Sequence, residues 1–237
     1  MLRKIIMFVL LFNFISSLCA QEYEWHSPDY DLIKKETFNE KSEFLYSNLL
    51  SRFYAFDSTL TKKDYEYLYY GYLYQKEYKP YKKAKNETAL LSILKKNSQI
   101  QEEDYEEIIK LTTESIQEYP FALDAMAILS YIYKLKGDTE NYLKIRFRLY
   151  DILEVITNSG DGSTCRNAFH VTSTDHEYVL LKMINKKPIS QELIFLKDPV
   201  AYCDLQKLHE NSKGYDSVYF DVTKLFEAQA ERIKKGE

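Results

Sequence analysis

From Pro28 to Leu153 the apolar residues recur at helical spacing with few interruptions, and the breaks between runs are helix punctuation. That pattern commits more than half of the chain to helices. The strongest start signal lies at Thr61 and Asp64, a capping box, with Leu60 and Tyr65 at the two staple positions around it. It also decides an ambiguity, because the run from Tyr65 to Tyr74 alternates aromatic and other residues closely enough to pass for a strand. A capped start makes it a helix.

The remaining helices are read in the same way. Ser27 as N-cap and Pro28 at the first helical position open a short helix to about Lys35. Glu40 to Tyr54 places Phe44, Leu45, Leu49, Leu50 and Phe53 on one face. Pro80 marks a loop, Asn86 caps Glu87 to about Lys96, and Glu102 to Glu118 carries acidic residues in its first turn, where the helix dipole favours them. Phe121 to Lys136 is apolar on most sides and is expected to be the central buried helix, stopped by Gly137. Thr139 to Ile156 follows.

Beyond Ile156 the texture changes. SGDG is a turn signal, Ala168 to Thr172 is a strand candidate, and Asp175 caps a helix through Val179, Leu180 and Met183 that halts before Pro188. Glu192 to Leu196, Tyr202 to Leu208 and Tyr215 to Val222 are expected strands, with Gly214 in the turn before the last. Lys224 to Ile233 is a final helix. The expectation is an α+β fold, mainly α: antiparallel helices over 21–157 and a small β-containing module over 158–237 packed on them.

Residues 1–20 have the form of a secretory signal: Arg3 and Lys4, an apolar run from Ile5 to Ile15, then Ser16, Ser17 and Ala20. The run is too short to cross roughly 30 Å of hydrocarbon, so cleavage is expected between Ala20 and Gln21, leaving no transmembrane segment and placing the chain in the periplasm or outside the cell. Cys19 as a lipid anchor is the disfavoured alternative, because the residues before it depart from a lipoprotein signal. The leader holds two of the 32 basic and none of the 36 acidic residues, so the remainder has a formal charge of 30 − 36 = −6. That balance disfavours nucleic acid as a partner.

Two segments carry resemblances. Pro120, Leu123, Leu129, Tyr133, Gly137, Asp138 and Tyr142 resemble the tetratricopeptide repeat, whose period is about 34 residues; Tyr142 and Leu149 stand where that pattern has small alanines, and Arg146 where it has an aromatic. Taken together, YEYLYYGYLYQ with YKPY, SGDG leading to AFHV, and VYFDVTKLF resemble the family called domain of unknown function 4919, secreted proteins of the Bacteroidota. The resemblance implies export and a shared architecture, and it carries over no activity.

Candidate chemistry is sparse. Cys165 and Cys203 stand 38 residues apart and either close a disulfide, which the loop-entropy argument values at about 3 to 4 kcal/mol, or remain two buried thiols. Cys165, His170, His176 and Cys203 have ligand chemistry but not the spacing of a zinc finger, and there is no HExxH, so no metal or cofactor is expected. His26 and His209 belong to no motif. Asp161 alone does not make a calcium loop, Ser163 lies in no GxSxG elbow, and the acidic run at Glu102, Glu103, Asp104, Glu106 and Glu107 reads as a solvated helix face. The chain has 22 tyrosines, eight of them between Tyr65 and Tyr81. Either these rings pack helix on helix with wet hydroxyls, or Tyr67, Tyr70, Tyr74, Tyr78 and Tyr81 form a recognition face. The leading expectation is a non-enzymatic interaction or scaffold module acting on an envelope protein or peptide; the rival is a secreted protein that binds or processes glycans through the tyrosine-rich helix.

Overall fold

The computed structural model describes residues 25–96, 99–209 and 216–236. Residues 1–20, where a secretory signal is expected, including Cys19, and Gly214 lie outside the described residues. Helices α1 (Tyr30–Phe38), α2 (Tyr46–Tyr54), α3 (Lys62–Gly71), α4 (Glu87–Lys96), α5 (Tyr105–Glu118), α6 (Leu123–Leu135) and α7 (Thr139–Thr157) precede a mixed segment. That segment runs β1 (Phe169–His170), α8 (Asp175–Met183), β2 (Pro188–Lys197), β3 (Val200–Leu208), β4 (Ser217–Asp221) and α9 (Thr223–Lys235). The chain is mainly helical with a small sheet near its C-terminal end, as an α+β fold requires.

Local chemistry accounts for the boundaries. Thr61 and Asp64 form the reciprocal capping box: Asp64 N–H donates to Thr61 Oγ1 at 3.1 Å, and Thr61 N–H to Asp64 Oδ2 at 2.7 Å. The tyrosine-rich run is therefore helical, ending in a 3₁₀ turn over Tyr72–Tyr74. The start of α1 differs from the expectation. Asp29, not Ser27, caps it by accepting from Leu32 N–H at 3.0 Å. Helix α2 begins at Tyr46 rather than Glu40, because Asn39 and Ser42 accept from Lys41 and Phe44 N–H and hold that stretch in turns. Asn86 directs its side chain across to α5, donating to Leu111 O and accepting from Ser115 Oγ. Strand β1 is shorter than expected and β2 longer, reaching back to Pro188; proline is tolerated there as the first residue of an edge strand.

The sheet has the order β1–β4–β3–β2, parallel between β1 and β4 and antiparallel elsewhere. The SGDG turn docks onto β4, where Tyr219 N–H donates to Gly162 O at 3.0 Å. Gly162 has φ +69°, and a Cβ there would meet the Phe169 ring at 2.5 Å, so glycine is needed twice over.

One apolar core runs through both halves, from Ile33 and Leu49 through Phe121, Met126 and Ile152 to Leu180, Phe220 and Leu225. Helix α3 lies inside it. Tyr69 and Tyr70 are fully buried, with Tyr69 edge-on to Phe121 at 5.3 Å. Gly71 permits the close crossing of α1 and α3, since a Cβ there would stand 2.7 Å from Thr37 Cγ2. Cys165 and Cys203 are joined, with Cα atoms 5.7 Å apart, and the bond ties the turn before β1 to β3.

Candidate functional site

The tyrosines expected as a recognition face do not form one. Tyr67, Tyr70 and Tyr78 are buried, Tyr74 is half-buried, and only Tyr81 is exposed. Tyr67 stacks on Phe44 with ring centroids 4.1 Å apart. Three of the hydroxyls are bonded within the fold instead of standing at a wet rim. Tyr70 and Tyr78 donate to the carbonyls of His170 (3.2 Å) and Thr172 (3.0 Å), while Tyr74 donates to Tyr30 O at 3.2 Å. A buried hydroxyl left without a partner would cost its full desolvation, and the segment His170–Thr172 supplies the partners. The tyrosine-rich helix is thus the seam between the helical half and the mixed segment.

His176 completes that seam. Its Nε2 lies 2.9 Å from Phe121 O and must donate, which leaves Nδ1 to accept from the Tyr69 hydroxyl at 2.7 Å. Tyr69 in turn accepts from Thr172 N–H at 3.1 Å. Burial holds the imidazole neutral and pushes its pKa down to about 4. His170 is half-buried, bonded through Nδ1 to the Tyr30 hydroxyl at 3.1 Å, and burial lowers its pKa as well. Strands β1 and β4 set it beside Asp221, and both residues line a cleft of 400 Å³ with Lys224 and Arg166. His26 stands apart from both, 3.6 Å from Glu66. With the two cysteines bonded to each other and both nitrogens of His176 engaged, Cys165, His170, His176 and Cys203 do not converge. No set of three His, Cys, Asp or Glu side chains able to hold a metal occurs among the described residues.

A buried carboxyl pair escaped the sequence reading. Glu177 on α8 is fully buried and faces Asp204 on β3, itself nearly buried. Gln206 Nε2 donates to Glu177 Oε2 at 2.7 Å, and Gln191 Nε2 to Asp204 Oδ2 at 2.6 Å. Burial, then the charge of Asp204, push the Glu177 carboxyl up to about 9, and burial raises Asp204 too. The pair therefore holds one proton at neutral pH, with Glu177 as its carrier. The signal was the polar pair Asp204 and Gln206, two apart on one face of an otherwise apolar strand.

An open groove of 780 Å³ lies between three helices. Leu94 of α4 and the following Ile100 form one wall, Ala127, Ile128 and Tyr131 of α6 the floor, and Tyr178, Val179 and Met183 of α8 the other wall. Met183 is partly exposed here, as are Tyr131 and Tyr178. At one end the first turns of the three helices meet around Lys83, which pairs with Glu87 at 3.3 Å and Asp175 at 3.2 Å. Beside them, burial raises the pKa of Asp124. Lys182 lines the groove on the α8 side.

These features define a mixed α+β chain with a helical groove walled by both of its halves. Residues 31–231 match the family described as a domain of unknown function (DUF4919), and the chain belongs to it. Searches of curated proteins and of solved structures find no match.

Proposed function

We propose that this is an exported, non-enzymatic interaction module of the periplasm or cell envelope, and that it receives a protein or peptide partner in the groove between α4, α6 and α8. The observation that carries the reading is the groove itself: an apolar floor with Tyr131 and Tyr178 exposed at 51% and 45%. Large aromatic side chains left partly open on a concave apolar surface are the residues that dominate binding when a partner covers them. Export is supported by the sequence of residues 1–20, and no helix among the described residues is long and apolar enough to cross a membrane.

The test places a photoreactive phenylalanine analogue at Tyr131, at Tyr178, or at Phe147, which is 62% exposed on α7 and does not line the groove. Irradiation of intact cells should give a discrete adduct from the two groove positions and none from Phe147. Equal labelling at all three, or none at Tyr131 and Tyr178, sinks the proposal. N-terminal sequencing of protein from the envelope and periplasmic fractions tests export, with Gln21 expected as the first residue.

A further inference from the structure

Among the described residues, strand β2 is a long open edge. It runs for ten residues, seven of them exposed, at one margin of the four-stranded sheet; the opposite margin, β1, has only two residues. Edges of this kind are normally shielded by charge, proline or a bulge. Here Pro188 and the register shift between Pro188 and Ser190 shield the start, and Lys197 closes the end. Between them Glu192 is the one charge, and it pairs with Lys207 of β3. The sequence Leu193-Ile194-Phe195-Leu196 follows with no gatekeeper; Leu193 and Phe195 are 52% and 55% exposed on one face, and Ile189, within the shifted stretch, is 62% exposed.

We propose that β2 pairs antiparallel with β2 of a second copy, about a twofold axis through Ile194, joining the two four-stranded sheets into one. Residues opposed across an antiparallel pair share a face, so the axis must pass through a residue. An axis at Glu192 would oppose two carboxylates, one at Phe195 would oppose Glu192 to Asp198, and one at Leu193 would oppose Phe195 to Gln191. An axis at Ile194 sets Leu193 against Phe195 of the second copy twice over. That ladder extends an aromatic stack already present in each copy, Phe195 on Tyr202 (5.2 Å) and Tyr202 on Phe226 (4.8 Å).

The arrangement closes at two copies, because the two-residue β1 leaves no second long edge on which a filament could grow. The strand edge and its apolar side chains amount to roughly 500 Å² per copy, near the lower bound of specific interfaces. Micromolar association is therefore expected. The inference does not depend on the groove or on its occupant.

Sedimentation velocity from about 1 to about 200 µM brackets that range, and the wild-type chain should pass from monomer to dimer across it. Leu193→Glu with Phe195→Glu opposes like charges and should leave a monomer with an unchanged circular dichroism spectrum, both side chains being exposed. Leu193→Lys with Phe195→Glu opposes unlike charges in this register and should restore the dimer, in a salt-sensitive form. In the wild type, hydrogen exchange at the outward amides of β2 should slow as concentration rises. A wild-type monomer throughout, or a dimer that survives the double glutamate change, overturns the proposal; failure of the charge swap to rescue overturns the register.

Discussion

Replacing Glu177 by Gln should remove most of a loss of stability that the wild-type chain suffers between pH 7 and pH 9. The folded protein holds a proton on Glu177 up to about pH 9, whereas the unfolded chain releases it near the ordinary value of 4.5. The folded state thus binds more protons than the unfolded state throughout this interval, and stability falls as pH rises. The contribution is fully present below 4.5 and is lost as the pH climbs through about 9. At about 1.4 kcal/mol per pH unit, two units cost on the order of 2 to 3 kcal/mol.

His176 is neutral in both states above pH 7, while the buried tyrosines, whose pKa values are raised in the folded state, begin to ionise in the unfolded chain as pH 9 is approached and add a smaller fall, on the order of 1 kcal/mol, shared by wild type and variant. Glutamine keeps the shape, accepts from Gln206 as Glu177 Oε2 does, and offers an N–H to Asp204 with no proton to lose. Urea unfolding of the oxidised protein at pH 7, 8 and 9 should show a steeply falling wild-type midpoint, one for Glu177→Gln that is flat to pH 8 and falls only slightly by pH 9, and a variant more stable than wild type at pH 9. Parallel curves would refute the assignment of the proton to Glu177.

Other perturbations follow from the same packing. His176 acts with the opposite sign: its folded pKa of about 4 lies below the ordinary 6.5, so its own contribution to stability should decline as the pH falls through that interval, against the rising contribution of Glu177. His176→Gln should be less stable at pH 7 yet lack that acid slope, as calorimetry from pH 7 to 4 would show. Cys165→Ser with Cys203→Ser should cost about 3 to 4 kcal/mol in urea unfolding, from the entropy of a loop closed over a separation of 38 residues. Arg148 is buried with its guanidinium over the rings of Phe53 (4.1 Å) and Phe56 (3.7 Å) and donates to Phe53 O. Lysine cannot reproduce that planar stack, so Arg148→Lys should lose about 1 to 3 kcal/mol; an unchanged melting temperature would contradict it.

Helix existence was legible because periodicity and caps are local. Thr61 and Asp64 act within three residues of each other, and their reciprocal bonds are formed as the capping box implies. Where a boundary moved, another local bond competed, as at Asn39 and Ser42. The fate of the tyrosines was not legible, because spacing places Tyr67, Tyr70 and Tyr74 on one helix row but does not say what covers it. The cover comes from Phe44 on one side and from Tyr30, His170 and Thr172 on the other, up to 100 residues away in sequence. The Glu177–Asp204 pair was hidden for the same reason, since its members sit on a helix and a strand that meet only in the fold.

The tyrosine seam also bears on the groove. One of its walls is α8, which follows the disulfide-tied turn, while the floor is α6, in the middle of the helical half. What fixes α8 against α6 is His176, whose ring bonds Phe121 O just before α6 begins and the Tyr69 hydroxyl on α3. Hydrogen bonds buried among aromatic rings act over short distances and admit little sliding. The width of the groove is therefore set from within the core, by Tyr69 of the tyrosine-rich helix together with His176. On this view the tyrosine-rich helix contributes to recognition by positioning, and Tyr69→Phe, which removes the hydroxyl that orients His176, should weaken partner capture at Tyr178 more than it disturbs α6 itself.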